Sequence, residues 1–235
     1  MRVIGKDIGT AIEPLHEEIT TRLREEASSE LRVERFEGGA FSNVEWEQDA
    51  VVIALHNGVP SRALTHVYGV ALQHVRQRLD HYPAVVATGR DFNGGDVIRT
   101  TLRELVMAPE AEDHLRPLDL DTAWELEQRH EGLKQLIREA PEEWNNEGTF
   151  GYAFSSLQYA RFALEHPPEL WAALVDSFRE RLAPAAELGV RLTEVVQEHG
   201  WSSADACIAS LTGAREALQL EPFVEIEDMR EGSTD

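Results

Sequence analysis

Lysine is nearly missing from this chain. Of 22 basic side chains only Lys6 and Lys134 are lysines, against 43 aspartates and glutamates, and the formal net charge is −21 over 235 residues. With the arginines scattered, no basic stripe tracks phosphates, which argues against direct DNA or RNA binding. Cysteine occurs once, as Cys207. A disulfide framework and a cysteine-based zinc site are thereby excluded, and a cytoplasmic location is expected. No run approaches the about eighteen apolar residues of a membrane span. The opening MRVIGKDIGTAIEPLHEE lacks an apolar h-region, so neither membrane insertion nor secretion is expected. Fixed-period repeats and low-complexity segments are absent as well.

What is present is enough to fold. Apolar residues make up 42% of the chain, which supplies a packed core and rules out wholesale disorder. Self-repulsion at −21 opposes compaction in dilute salt, but in molar salt the Debye length shrinks to about 3 Å and most of the repulsion disappears. An acid-rich, lysine-poor composition therefore points to a halophilic cytoplasm, with K+ and water as the solvation shell. An ordinary acidic protein that lost its lysines to a GC-rich genome is the competing reading. In the halophilic case the charge is a solvation device and says nothing about a basic partner.

The pattern along the chain predicts an α+β fold: a small mixed sheet of three to five strands and a mostly helical carboxyl-terminal half. A start at Arg2–Ile4 precedes a helix near 13–27, with Ile12, Leu15, Ile19 and Leu23 at three- and four-residue steps and Pro14 in the first turn. Leu31, Val33 and Phe36 suggest a strand. The run AVVIAL at 50–55 reads as a central strand buried on both faces. Ser61 is placed to cap a long helix ending before Pro83. AVVA at 84–87 reads as another buried strand, and a helix starts at Asp96. From Pro109 onward nearly every signal is helical, with Asp121 as a cap and Ser202 with Asp205 as a capping-box-like opening. FVEIE at 223–227 can return as a last strand. The expected organisation is residues 1–108 as an α/β-containing part, 109–228 as a helical part packed on it in one domain, and 229–235 as a polar tail.

Known catalytic patterns fail on inspection. Gly89 and Gly94-Gly95 sit as in a phosphate loop, but Gly95 and Asp96 replace the lysine and hydroxyl residue that such a loop needs. An aspartate there fills the helix-terminal anion site with its own charge. Glycine turns with Asp96 as an N-cap explain the segment structurally; a small polar pocket from Arg90, Asp91, Asn93 and Arg99 is the functional alternative, with Asp96 as a further ligand-binding candidate. The helix after strand 50–55 sits where a zinc peptidase carries its two histidines four residues apart. His66 is present, but Val67 and Val70 take the positions of the glutamate and the second histidine. His74 is eight residues further, about 12 Å along a helix. A zincin-like scaffold without its motif, holding zinc or another divalent metal through His56, His66 or His74, is the hydrolase alternative. Glu13/His16 and Glu127/His130 have di-iron spacing, at the frequency chance supplies. No Gly-x-Ser-x-Gly elbow occurs, and Cys207 in ACIASL reads as a small buried apolar residue. The segment WNNEGTFGY offers Trp144, Asn145, Asn146 and Glu147 as a loop of the kind that lines ligand sites; helix capping and close helix approach are its structural explanation.

The stretches HNGVPSRALTHVYG, ATGRDFNGGD and WNNEGTFGYAF, together with the composition, resemble a conserved uncharacterised protein family of haloarchaea, a domain of unknown function. The resemblance spans Val51 to Gly200 and implies no activity. It does favour treating those three polar segments as one surface. The expectation is a non-catalytic protein binding an unidentified protein or small molecule, with a metal-assisted hydrolase and a helical scaffold protein as alternatives.

Overall fold

The computed structural model of the chain describes residues 1–90 and 92–230. Helix accounts for 61% and strand for 14%, and the strands lie in separate small sheets, which makes the fold α+β. The chain divides into two compact units, Met1–His81 with Ala111–Glu125, and Tyr82–Glu110 with Leu126–Asp235. This division does not fall at residue 108. Helix α3 (Gly95–Leu115) runs through Pro109, so its last turns belong to the first unit and its start to the second. Proline removes one interior helix bond, but Leu105, Val106, Met107, Ala108 and Ala111 are buried around it. Packing overrides the local break.

In the first unit β1 (Arg2–Val3) and β2 (Lys6–Asp7) form a small antiparallel ribbon. Helix α1 (Glu13–Glu26) follows, then β3 (Glu30–Phe36), β4 (Ser42–Trp46), β5 (Ala50–His56) and α2 (Ser61–Leu79). The three later strands form one sheet in the order β3-β5-β4. Strand β5 pairs parallel with β3 and antiparallel with β4, so Ile53 lies beside both Val33 and Val44. The continuous apolar run 50–55 takes the centre because only a central strand can bury both faces, whereas β3 and β4 alternate half-buried and exposed residues as edges do. Helix α2 is buried nearly all round and forms the core with α1, through Ile12, Ile19, Leu23, Leu64, Tyr68, Leu72 and Val75. Burial contributes roughly 1.5–3 kcal/mol for each large side chain. Pro60, in an extended conformation, is the N-cap of α2 and Ser61 is its first helical residue, with no side-chain cap bond.

The second unit pairs β6 (Ala84–Ala87) antiparallel with β7 (Val224–Glu227) in a two-stranded sheet. Strand β6 is half-buried rather than buried, because it has one strand neighbour and no second layer of sheet. The helices are the start of α3, most of α4 (Ala123–Glu139), α5 (Phe150–Glu165), α6 (Pro168–Arg181), α7 (Ala183–His199) and α8 (Ala204–Ala217). Helix α5 carries Tyr152, Leu157, Tyr159, Ala160 and Phe162 into a core shared with Phe178, Leu188, Leu192, Val196 and Leu211. Asp121 caps α4 through the Ala123 amide at 3.0 Å. Ser203, one residue beyond the expected Ser202, caps α8 through the Ala206 amide at 3.2 Å. Cys207 is fully buried. Among the described residues no helix is long and apolar enough to cross a membrane.

Candidate functional site

Two of the three polar segments meet within the second unit. The loop before α3 turns at Gly94 (φ +81°), and a Cβ built there would lie 2.4 Å from the Phe150 ring, so the glycine backbone rests on the first residue of α5. A side chain at Gly94 is excluded by both the space and the conformation. On the other side of this contact Trp144 lies against Gly151, where an added Cβ would sit 2.0 Å from the indole. Trp144 meets Phe150 and Phe154 edge-on, with centroids 6.4 and 5.8 Å away. The result is a half-buried aromatic patch, seated on two glycines, with the two polar loops beside it.

Of the polar candidates on these loops, Arg90, Asn93, Asp96, Asn146 and Glu147 are exposed. Asp91 lies outside the described residues. Asp96 is in the first turn of α3 rather than at its N-cap, since the helix begins at Gly95, and its carboxylate accepts from Arg99 at 2.5 Å. Asn145 serves structure: its amide donates to the carbonyls of Glu142 at 3.4 Å and Arg181 at 3.2 Å. Neither Asn145 nor Asn146 caps α5. Thr149 does, accepting from the Tyr152 amide at 3.2 Å. Burial, and then the charge of Glu147, push the Tyr152 phenol above its ordinary range.

The third polar segment and the three candidate metal histidines lie in the first unit, and each histidine has its own local role. His56 Nδ1 accepts from the Gly58 amide at 3.0 Å. His74 Nδ1 lies 2.8 Å from Gln77 Oε1. His66, 3% exposed, is bound on both ring nitrogens: Nδ1 lies 2.6 Å from Glu125 Oε1 and Nε2 lies 2.8 Å from Glu112 Oε2. Carboxylates are acceptors, so an imidazole flanked by two of them donates from both nitrogens and carries a positive charge. Burial alone would pull its pKa down, but the hydrogen bonds and charges of Glu112 and Glu125 outweigh it and raise it to about 9. Such a cation offers no lone pair to a metal or to a substrate proton. Among the described residues no three His, Cys, Asp or Glu side chains are grouped so as to hold a metal ion.

Glu112 and Glu125 gave no sequence signal as partners of His66, being 46 and 59 residues away. The same holds for the imidazole pair His130–His166 in the second unit, where Nδ1 and Nε2 are 3.1 Å apart. Compared with known proteins, the chain matches no family model, no curated protein and no solved structure.

Proposed function

We propose that this chain is a non-catalytic binding protein of a haloarchaeal cytoplasm, and that its recognition surface lies in the second unit around Arg90, Asn93, Asp96, Trp144, Asn146 and Glu147. The seating of Gly94 on Phe150 carries this reading, because it joins two loops far apart in sequence into one polar rim beside half-buried aromatic rings. Concave or notched aromatic surfaces with a few placed polar groups suit small polar ligands or a protein side chain. The doubly engaged His66 weighs against a metal-assisted hydrolase, since the one histidine at the expected helix position is already protonated and held.

Ligand binding to the folded state raises the unfolding temperature, by an amount that grows with the logarithm of the ligand concentration above its Kd. The test is a thermal-shift screen in concentrated KCl with sugars, nucleotides, amino acids and small carboxylates, run on the native chain and on the triple variant Asn93→Ala, Asn146→Ala, Glu147→Ala. The expected result is stabilisation by one class, lost in the variant, whose own unfolding midpoint stays where it was because all three side chains are exposed. Stabilisation that persists in the variant places the ligand elsewhere and removes the proposed surface.

A further inference from the structure

His130 and His166 bring two imidazoles together head-on within the second unit. His130 lies half-buried on α4, and His166 is the buried C-cap residue of α5, past its last turn in an extended conformation. His130 Nδ1 and His166 Nε2 are 3.1 Å apart. The ring planes agree within 2° and the centroids are 5.3 Å apart, a separation that exceeds the nitrogen–nitrogen distance by the two ring radii. Both nitrogens therefore lie close to the line joining the ring centres, and their lone-pair axes point at each other. Where His66 has a carboxylate on each nitrogen, these two facing nitrogens have, among the described residues, only each other. The outer nitrogens, His130 Nε2 and His166 Nδ1, have no hydrogen-bond partner among the described residues and are not sealed from water.

We propose that His130 and His166 form a two-coordinate site for a soft monovalent metal ion, copper(I), held in line between His130 Nδ1 and His166 Nε2. Imidazole is a good ligand for copper. Each neutral ring keeps its single proton on the outer nitrogen, where water accepts it, so both facing lone pairs turn to the ion. Imidazole–metal bonds are about 2 Å long, which sets the nitrogens about 4 Å apart across a linear ion and parts the rings by about 1 Å without tilting them. The movement falls on His166, which lies beyond the helix. Zinc(II) asks instead for four ligands at tetrahedral angles, and among the described residues no third His, Cys, Asp or Glu completes such a set. Charge selects the same ion. Arg129, whose charge reaches His166, and Arg161 both bind Glu165, at 3.1 and 2.9 Å. Glu131, near His130, is itself paired with Lys134. This local balance is positive, and it repels a divalent ion more than a monovalent one. The Phe162 ring, 4.8 Å from that of His166, adds an apolar flank that suits a weakly hydrated ion.

The test uses the metal-free native chain in anaerobic potassium sulfate, because chloride would compete for the ion. Copper(I) is titrated against bicinchoninate, and its coordination is read from the X-ray absorption edge. The native chain is expected to take up one equivalent beyond what the double variant His130→Gln, His166→Gln takes up, with the signature of two ligands in line. Each single variant should weaken that binding by about tenfold or more, the least that losing even an indirect partner of a metal ligand costs. Cys207 is present in every form, so any thiol binding cancels in the comparison. A second measurement needs no variant to fold. Silver(I), equally linear and redox-inert, is added to native protein carrying isotope-labelled histidine nitrogen, and it should shift one ring nitrogen on each of two histidines. The proposal falls if native and double variant hold copper(I) equally, or if the edge shows three or four ligands. It falls as well if the pair takes up zinc(II) in preference, or if silver(I) moves no pair of histidine nitrogens.

Discussion

His130 and His166 share one hydrogen bond between their rings, with Nδ1 of the first 3.1 Å from Nε2 of the second. The ring planes are 2° apart and the centroids 5.3 Å apart; with the nitrogens this close, that is an edge-to-edge N–H···N contact and not a face-to-face stack. One nitrogen must donate and the other accept, so the pair holds at most one extra proton without losing the bond. Burial, then the neighbouring His130 and Arg129, lower His166 to about 4. Glu165 stands beside the pair, bound to Arg129 at 3.1 Å and to Arg161 at 2.9 Å, and Glu131 is close enough to feel the charge of His130.

A histidine whose folded pKa lies below its unfolded value of about 6.5 takes up a proton on unfolding. Its contribution to stability is complete above about pH 6.5 and is lost as the pH falls from there through about 4. Guanidinium unfolding of the native chain and of His166→Gln, measured at steps between about pH 7.5 and 4, tests this. The advantage of the native chain over the variant should shrink steadily across that window, while carboxylate titration common to both cancels. A pH-independent difference would show that His166 titrates normally.

His66 has the opposite sign. Its folded pKa of about 9 lies above the unfolded value, so its stabilisation is fully present below about pH 6.5 and declines as the pH rises through about 9. At neutral pH, His66→Gln removes the cation held between Glu112 and Glu125, and breaking a buried pair in this way costs about 3–5 kcal/mol. The cost should be largest near pH 6 and diminish towards pH 10 in denaturant titrations. A cost that grows with pH would mean that the imidazole is neutral in the folded protein.

Much of the first unit was legible because its pattern is local. The run 50–55 announced a two-side-buried strand, and the apolar steps of α1 and α2 announced amphipathic or buried helices. Strand β4 was missed because SNVEW has only Val44 and Trp46 as apolar residues on a half-exposed edge. AVVA reads as buried in the sequence because four apolar residues cannot report how many strands flank them. Pro109 reads as the beginning of a new part because local sterics disfavour what tertiary packing there enforces. For the site, the loops were found by their polar residues, but the contact of Gly94 with Phe150 and the bonds of His66 to Glu112 and Glu125 join distant segments and have no periodicity to betray them.

Gly151→Ala separates close packing from helix propensity. Gly151 is in the first turn of α5, where alanine is favoured by up to about 1 kcal/mol on propensity alone. The added methyl would stand 2.0 Å from Trp144, and displacing the indole undoes its contacts with Phe150 and Phe154. Overpacking of this kind costs about 1–3 kcal/mol. The substitution should therefore lower the denaturation midpoint and alter the near-ultraviolet dichroism of tryptophan. A midpoint that rises would mean that Trp144 can leave Gly151 without penalty.

The response to salt follows from which interactions are screened. Many of the ion pairs sit at the surface, such as Arg116–Asp113 and Lys134–Glu131, and exposed pairs of this kind contribute about 0–1 kcal/mol each before screening. Screening them therefore costs little. The repulsion among 43 acidic side chains against 22 basic ones is long-ranged and is removed almost entirely when the Debye length falls to about 3 Å. The two apolar cores do not depend on charge. Raising KCl from dilute buffer to about 3 M should consequently raise the thermal midpoint, with most of the gain in the first molar, where screening changes fastest. A midpoint that is flat or falling across that range would show that net repulsion is not what limits the fold, and the composition would then record genome bias instead of adaptation to salt.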